Sequence, residues 1–303
     1  MHINIICIVI FLTCTAYAVS AENGKIQMNN DPSTGWIYRG PLLVDGLPKN
    51  FDARQKWPKC KSIGLIHNQG NCHSSYAISV VSAAADRICI GSNGTLTPVI
   101  SPQQIISCCY LCGYGCRGGS AYESWDFYRR HGFVSGGDYG TNQGCQPYKI
   151  PPCKIQKEIT TEDSCTLHKT DDTPQCETKC YNTQYKTEYK NDLYKGLPAY
   201  QVDPYIATKE IFENGPITAS FYMYKHLLDY KSGVYSFDYN SSRHYFHRQT
   251  VKIIGWGEEK GTSYWLAANS LGYEWGNNGT FKIARDENGC FLEEEMYAAM
   301  PLL

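Results

Sequence analysis

The stretch Asn68-Gln69-Gly70-Asn71-Cys72-His73-Ser74-Ser75-Tyr76 decides how the rest of the chain is read. From Ser75 to about Ile90, the residues Tyr76, Ala77, Val80, Val81, Ala84 and Ile88 recur at helical spacing. This predicts a helix with an almost wholly apolar buried face, beginning at Ser75. A polar, glycine-containing segment therefore delivers a hydroxyl to a helix N-terminus, where the backbone dipole favours negative charge.

Around this helix the chain divides into two characters. Ser101-Pro102-Gln103-Gln104 has the form of a capping box with proline at the first helical position, and it predicts a short helix running towards Cys108. Gly119 to Arg130 reads as another helix, and Asp203-Pro204 opens one more that stops at Asn214-Gly215-Pro216. Beyond it, Ile217 to Met223, Gly233 to Tyr239, Thr250 to Gly257, Ser263 to Ala268 and Thr280 to Ala284 are short β-branched or aromatic runs separated by Gly and Asn. A helical first lobe followed by a β-rich second lobe is an α+β arrangement. The tyrosines between Tyr181 and Tyr205 suggest either an aromatic surface or polar hairpin packing.

At 303 residues the chain can bury a full core in one unit of two lobes. Its 28 basic and 29 acidic residues leave a net charge of −1, so no basic field exists for nucleic acid. The apolar run Ile3 to Tyr17, followed by Ala16-Tyr17-Ala18 and Val19-Ser20-Ala21, reads as a cleaved signal peptide over 1–21. No second long apolar segment offers a membrane anchor. Residues 22–46 are polar and turn-rich, as expected of a short leader, and the folded part, 47–303, begins at Leu47-Pro48-Lys49-Asn50-Phe51. Cys7 and Cys14 lie in the signal segment, so thirteen of the fifteen cysteines remain, which suggests six bridges and one thiol in an oxidising compartment. Sequons at Asn93, Asn240 and Asn278 agree with a secretory route, extracellular or lysosomal.

A second informative stretch is His247-Arg248-Gln249-Thr250-Val251-Lys252-Ile253-Ile254-Gly255-Trp256-Gly257, followed by Tyr264-Trp265-Leu266-Ala267-Ala268-Asn269-Ser270. Together with Cys72-His73-Ser74-Ser75-Tyr76, the cysteine pair Cys108-Cys109, Gly118-Gly119 and Pro151-Pro152-Cys153, these segments resemble cathepsin B, a papain-like cysteine protease, from Leu47 to the C-terminus. The resemblance implies a two-lobe papain-like fold with a loop of the type that occludes the cathepsin B cleft.

It also implies site residues. Ser75 falls in the slot of the nucleophilic cysteine, Gln249 in that of the general-base histidine, Asn269 in that of the asparagine orienting the imidazole, and Gln69 in the oxyanion hole. Gly118 and Gly119 would present backbone to an extended peptide, and Glu295 matches an acid that admits basic side chains to the second specificity pocket. By the same analogy the bridges join Cys60 to Cys89, Cys72 to Cys116, Cys108 to Cys176, Cys109 to Cys112, Cys145 to Cys180 and Cys153 to Cys165, leaving Cys290.

The departures bear on chemistry. A thiol becomes a thiolate beside an imidazolium, whereas an alcohol must give its proton to a base during attack, and a glutamine carboxamide carries no titratable nitrogen. His247, two residues before Gln249, shares its strand face and is the candidate substitute base; His73 could equally narrow the cleft. Lys154-Ile155-Gln156 stands where cathepsin B has the paired histidines that hold a terminal carboxylate, so dipeptide removal is not expected. Leu271 replaces a shielding tryptophan. The expectation is a monomeric, proteolytically inactive homologue whose cleft binds peptides, proteins or cystatin-like inhibitors, with no cofactor or metal. The alternatives are an active or weakly active endopeptidase and an inert extracellular glycoprotein.

Overall fold

Of the seventeen residues of the helix that begins at Ser75, fifteen are buried, so it is enclosed on all sides rather than on one face. The computed structural model describes residues 46–154, 165, 170–237, 245–285 and 290–303. The expectations for the signal segment, nearly all of the leader, Asn240 and Ile155-Gln156 lie outside these residues. In chain order the described elements are β1 (Phe51–Asp52), α1 (Ala53–Lys56), α2 (Ser75–Gly91), α3 (Gln103–Cys108), α4 (Ala121–Arg130), β2 (Tyr200–Gln201), α5 (Ala207–Asn214), β3 (Ile217–Tyr224), β4 (Val234–Tyr235), β5 (Tyr245–Glu259), β6 (Thr262–Ala268), β7 (Thr280–Ala284) and β8 (Met296–Ala298).

The strands form one sheet in the order β2-β8-β3-β5-β6-β7-β4, with β1 pairing to β5. All pairings are antiparallel except β4 with β7. Two apolar clusters result. One joins Val80, Ile105, Trp125, Tyr128 and Phe133 around the helices, and the other joins Phe221, Val251, Ile253, Trp265 and Phe281 around the sheet. Helix α2 is the wall between them. Its side towards β5 carries small and polar residues because that contact is made through hydrogen bonds: Ser79 Oγ donates to Thr250 O (2.9 Å), and Lys252 Nζ donates to Ser82 Oγ and Asp86 Oδ2 (both 2.7 Å). The neighbouring Arg87 donates to Glu210 Oε1 (3.0 Å) and Pro216 O (2.7 Å), so buried charge is matched rather than stranded.

Several elements differ from their sequence reading. Ser101 Oγ accepts from Gln103 N (3.1 Å) as a cap should, but Gln104 does not reach back to close the box. Its Oε1 accepts from Val134 N and its Nε2 donates to Tyr189 Oη instead, tying α3 to neighbouring loops. The helix read from Asp203 is a 3-10 turn at Pro204–Ile206, capped by Asp203, before α5 proper begins. In the run from Gly233 to Tyr239, whose last two residues lie outside the described ones, β4 takes Val234–Tyr235, while β5 extends well upstream of Thr250 because β3 pairs along its length. The tyrosine-rich segment is largely internal bonding: Tyr181 donates to Pro147 O and Tyr185 to Asp192 Oδ1 (2.6 Å), although Tyr205 stands exposed.

Six disulfides link Cys60–Cys89, Cys72–Cys116, Cys108–Cys176, Cys109–Cys112, Cys145–Cys180 and Cys153–Cys165. Cys290 remains a buried thiol. Among the described residues, no helix is long and apolar enough to cross a membrane.

Candidate active site

The segment preceding α2 is fixed from three directions. Gln69 N donates to Ser270 O (2.8 Å), His73 N donates to Cys116 O (2.9 Å), and the Cys72–Cys116 bridge closes the turn. Tyr148 Oη donates to Gln69 O (2.9 Å) and lies 2.7 Å from Ser74 Oγ. Gly70, at φ +64°, has the Pro151 carbonyl so close that a Cβ would fall 2.2 Å from its oxygen; only glycine fits. Ser75 is thereby set at the first turn of α2, with its Oγ accepting a hydrogen bond from Thr250 N at 3.1 Å.

Opposite, β5 brings His247 and Gln249 to one face, as strand alternation requires. Gln249 is fully buried, and its Nε2 lies 2.8 Å from Asn269 Oδ1, 3.1 Å from Gln69 Oε1 and 3.3 Å from Ser270 Oγ. Two protons serve these three acceptors, so the longest contact is the weakest. Ser270 Oγ in turn donates to Gln69 Oε1 (2.6 Å), and Gln69 Nε2 donates to Cys72 O (2.9 Å). Asn269 Oδ1 also accepts from Ser270 N (2.9 Å), whereas its buried Nδ2 has no hydrogen-bond partner among the described residues.

The structure thus brings Ser75, Gln249, Asn269 and Gln69 to one locus, but as a closed carboxamide network. Ser75, Asn269 and Gln69 are 4%, 4% and 2% exposed, so water and ligand scarcely reach them. His247 Nε2 lies 3.0 Å from Gln249 Oε1, and its ring stacks on that of His73 with centroids 5.1 Å apart and planes 7° from parallel. Burial, partly opposed by the bond to Gln249 and reinforced by His73, pushes His247 down to about 4. Burial also lowers His73. Burial thus makes both stacked imidazoles weaker bases than a free histidine, and the bond of His247 runs to a carboxamide, which relays no proton.

The flanking positions remain more open. Gly118, at φ +105°, has open space where a Cβ would stand. Gly113 and Gly119 form an antiparallel bridge through Ser120 N to Cys112 O (2.7 Å) and Tyr114 N to Gly118 O (2.9 Å). In that register the N–H and C=O of Gly119 point outward. Glu295 lines a cavity of about 450 Å³ and forms an ion pair with Arg248. Leu271 is buried and bridges to Asn68, while Lys154 pairs with Glu274 at 3.0 Å. Asn93 and Asn278 are exposed turn residues at φ +54° and +49°. Sequence reasoning missed Ser270 and Tyr148 as organisers of the centre and Arg248 as the partner of Glu295. Only the adjacency of Ser270 to Asn269 and of Arg248 to Gln249 hinted at them.

The profile of the family described as papain family cysteine protease matches residues 47–300. Cathepsin B-like cysteine proteinase 3 of Caenorhabditis elegans is 40% identical over 283 residues, covering 92% of this chain and 72% of that protein. Cathepsin B-like cysteine proteinase 1 of Ostertagia ostertagi is 40% identical over 260 residues, covering 84% and 73%. Among solved structures, procathepsin B S9 from Trypanosoma congolense superposes with a TM-score of 0.71 at 33% identity, covering 86% of this chain and 79% of that one. A digestive procathepsin L2 proteinase from Tenebrio molitor, at 23% identity, TM-score 0.62 and coverage of 86% and 70%, shares the fold. The chain belongs to the papain family of cysteine proteases, as a cathepsin B-like homologue.

Proposed function

We propose that this homologue does not hydrolyse peptide bonds and acts by binding extended peptides, or cystatin-like inhibitors that recognise a papain-type cleft by shape. The observation that carries this reading is the environment of Ser75: its Oγ accepts from Thr250 N, and the preceding residue on β5, Gln249, is a buried carboxamide bonded to Asn269 and Gln69. An alcohol in that setting has nothing to take its proton. Losing nucleophile or base in a serine protease lowers kcat on the order of 10⁶-fold, leaving about 10³–10⁴ over water from oxyanion stabilisation and binding. Here even that remainder is compromised, because Gln69 is clamped through both its carboxamide atoms and shielded from solvent.

Binding is supported by what stays accessible beside the closed centre: the outward backbone of Gly119 and the open cavity at Glu295. The disulfides and cathepsin B-like relatives fit a secretory or lysosomal protein, and the reading is of a chain acting as a monomer in that compartment. The test is a fluorogenic dipeptidyl substrate at acid pH, run against Ser75→Ala, with labelling by a serine-directed fluorophosphonate and binding of a cystatin measured alongside. Turnover indistinguishable from Ser75→Ala, no labelling at Ser75 and saturable cystatin binding are expected. Hydrolysis that Ser75→Ala abolishes would establish a serine-dependent endopeptidase instead.

A further inference from the structure

Strand alternation places Arg248 on the face of β5 opposite to Gln249, away from the closed centre. Its cross-strand partner on β3 is Tyr222, and Ser220 lies two residues earlier on the same face. From there the guanidinium reaches Glu295, whose backbone carbonyl is held by Ser220 N at 3.1 Å. The guanidinium carbon also lies 5.6 Å from the centroid of the Tyr222 ring, and Tyr222 meets Phe291 edge-on at 5.5 Å. These groups border the cavity of about 450 Å³, which remains open beside the ion pair and has aromatic walls in Tyr222, Tyr224 and Phe291.

An acid lining a side-chain pocket attracts a ligand's Lys or Arg only while its charge is unmet. Here a guanidinium of the chain itself meets it, and a second cation entering the same space would have to displace that arm or face a like charge. An uncharged aromatic side chain meets no such penalty and finds ring edges to pack on. We propose that Arg248 is an internal occupant of this pocket, standing on Glu295 in place of a ligand's basic side chain, so that the groove selects ligands with an aromatic or aliphatic residue there and rejects Lys and Arg. This rests on the reading of the cleft as a peptide-binding groove and assigns the class of side chain it takes.

The experiment compares fluorescein-labelled alanine-based hexapeptides carrying Phe or Arg at each position in turn, by fluorescence anisotropy. The wild-type protein is expected to bind its best Phe peptide about ten- to a hundredfold tighter than any Arg peptide, the span set by one charge-assisted contact. Arg248→Ala is expected to remove or invert that preference, and Arg248→Lys to keep it. Adding Glu295→Gln to Arg248→Ala should then weaken the Arg peptides again. An unchanged Phe-to-Arg ratio in Arg248→Ala, or a wild-type preference for Arg, overturns the role of Arg248 while leaving the groove intact. Absence of binding by every peptide to both proteins overturns the groove itself and this inference with it.

Discussion

Installing a thiol at position 75 and then an imidazole at position 249 gives a quantitative test of the proposed loss of catalysis. Ser75→Cys alone places a thiol at the N-terminus of α2, facing Thr250 N. A thiol with pKa near ~8.5 is only about 0.3% thiolate at pH 6. The helix terminus contributes about 0.3–1 kcal/mol, less than about one pKa unit, which lifts the fraction to at most about 2%. Adding Gln249→His supplies an imidazole where Asn269 Oδ1, now 2.8 Å from the carboxamide nitrogen, stands ready to accept its N–H. A thiolate paired with imidazolium reaches a pKa of about 3–4, so ionisation at pH 6 is essentially complete. The thiolate fraction therefore rises about fifty- to three-hundredfold between the two variants. The assay is the pH profile of iodoacetamide alkylation followed by intact mass, with the wild-type protein reporting the background from buried Cys290. Residue 75 is only 4% exposed, which slows both variants alike, so the midpoint of the profile, not the absolute rate, carries the result. If the single variant already shows the low midpoint, the fields around residue 75 activate a thiol without a base and the argument fails. If the double variant keeps a midpoint near that of an ordinary thiol, position 249 does not face the nucleophile.

The buried pair between Lys252 and Asp86 predicts that Lys252→Met, which strands a carboxylate inside the molecule, destabilises by about 3–5 kcal/mol in urea unfolding. Combining it with Asp86→Leu should recover most of the loss. Gln249→Ala, which removes a buried carboxamide with bonds to Asn269, Gln69 and His247, is expected to cost about 2–4 kcal/mol by the same measurement. A loss below about 1 kcal/mol would mean the network contributes little. His247, held at about 4 against an unfolded value near ~6.5, makes the unfolded chain take up the proton first as pH falls. Its contribution to stability is complete above about pH 6.5 and drains away towards pH 4, so urea midpoints at pH 7 and pH 4.5 should differ less in His247→Asn than in the wild type. Equal differences would show that His247 does not titrate with folding.

How much of this was legible in the sequence depends on which interactions are local. The spacing of Tyr76, Val80, Ala84 and Ile88 is enough to place α2, because a helix repeats within its own segment. That spacing could not show that Ser79, Ser82 and Asp86 are buried too, since their partners Thr250 and Lys252 lie on a strand far along the chain. The capping box at Ser101 failed on its second half for a similar reason: Val134 N and Tyr189 Oη compete for Gln104 and win. Likewise β4 pairs with its parallel partner β7 only at Val234 and Tyr235, and nothing in the run from Gly233 encodes that limit.

The candidate site follows the same division. Alternation along β5 is local and correctly separates His247 and Gln249 from Arg248, but the consequences on either face depend on distant residues. On one face, the glutamine that lacks a base's chemistry still supplies an N–H to Asn269 and fills its space completely. A buried acceptor left empty by losing the imidazole would have cost about 1–3 kcal/mol, and a carboxamide avoids that cost while transferring no proton. On the reading proposed here, this explains how a protease framework can shed its reaction without shedding its fold. The groups that hold Gln249 in place, Asn269, Gln69 and Ser270, are bonded to one another and to it through neutral atoms throughout.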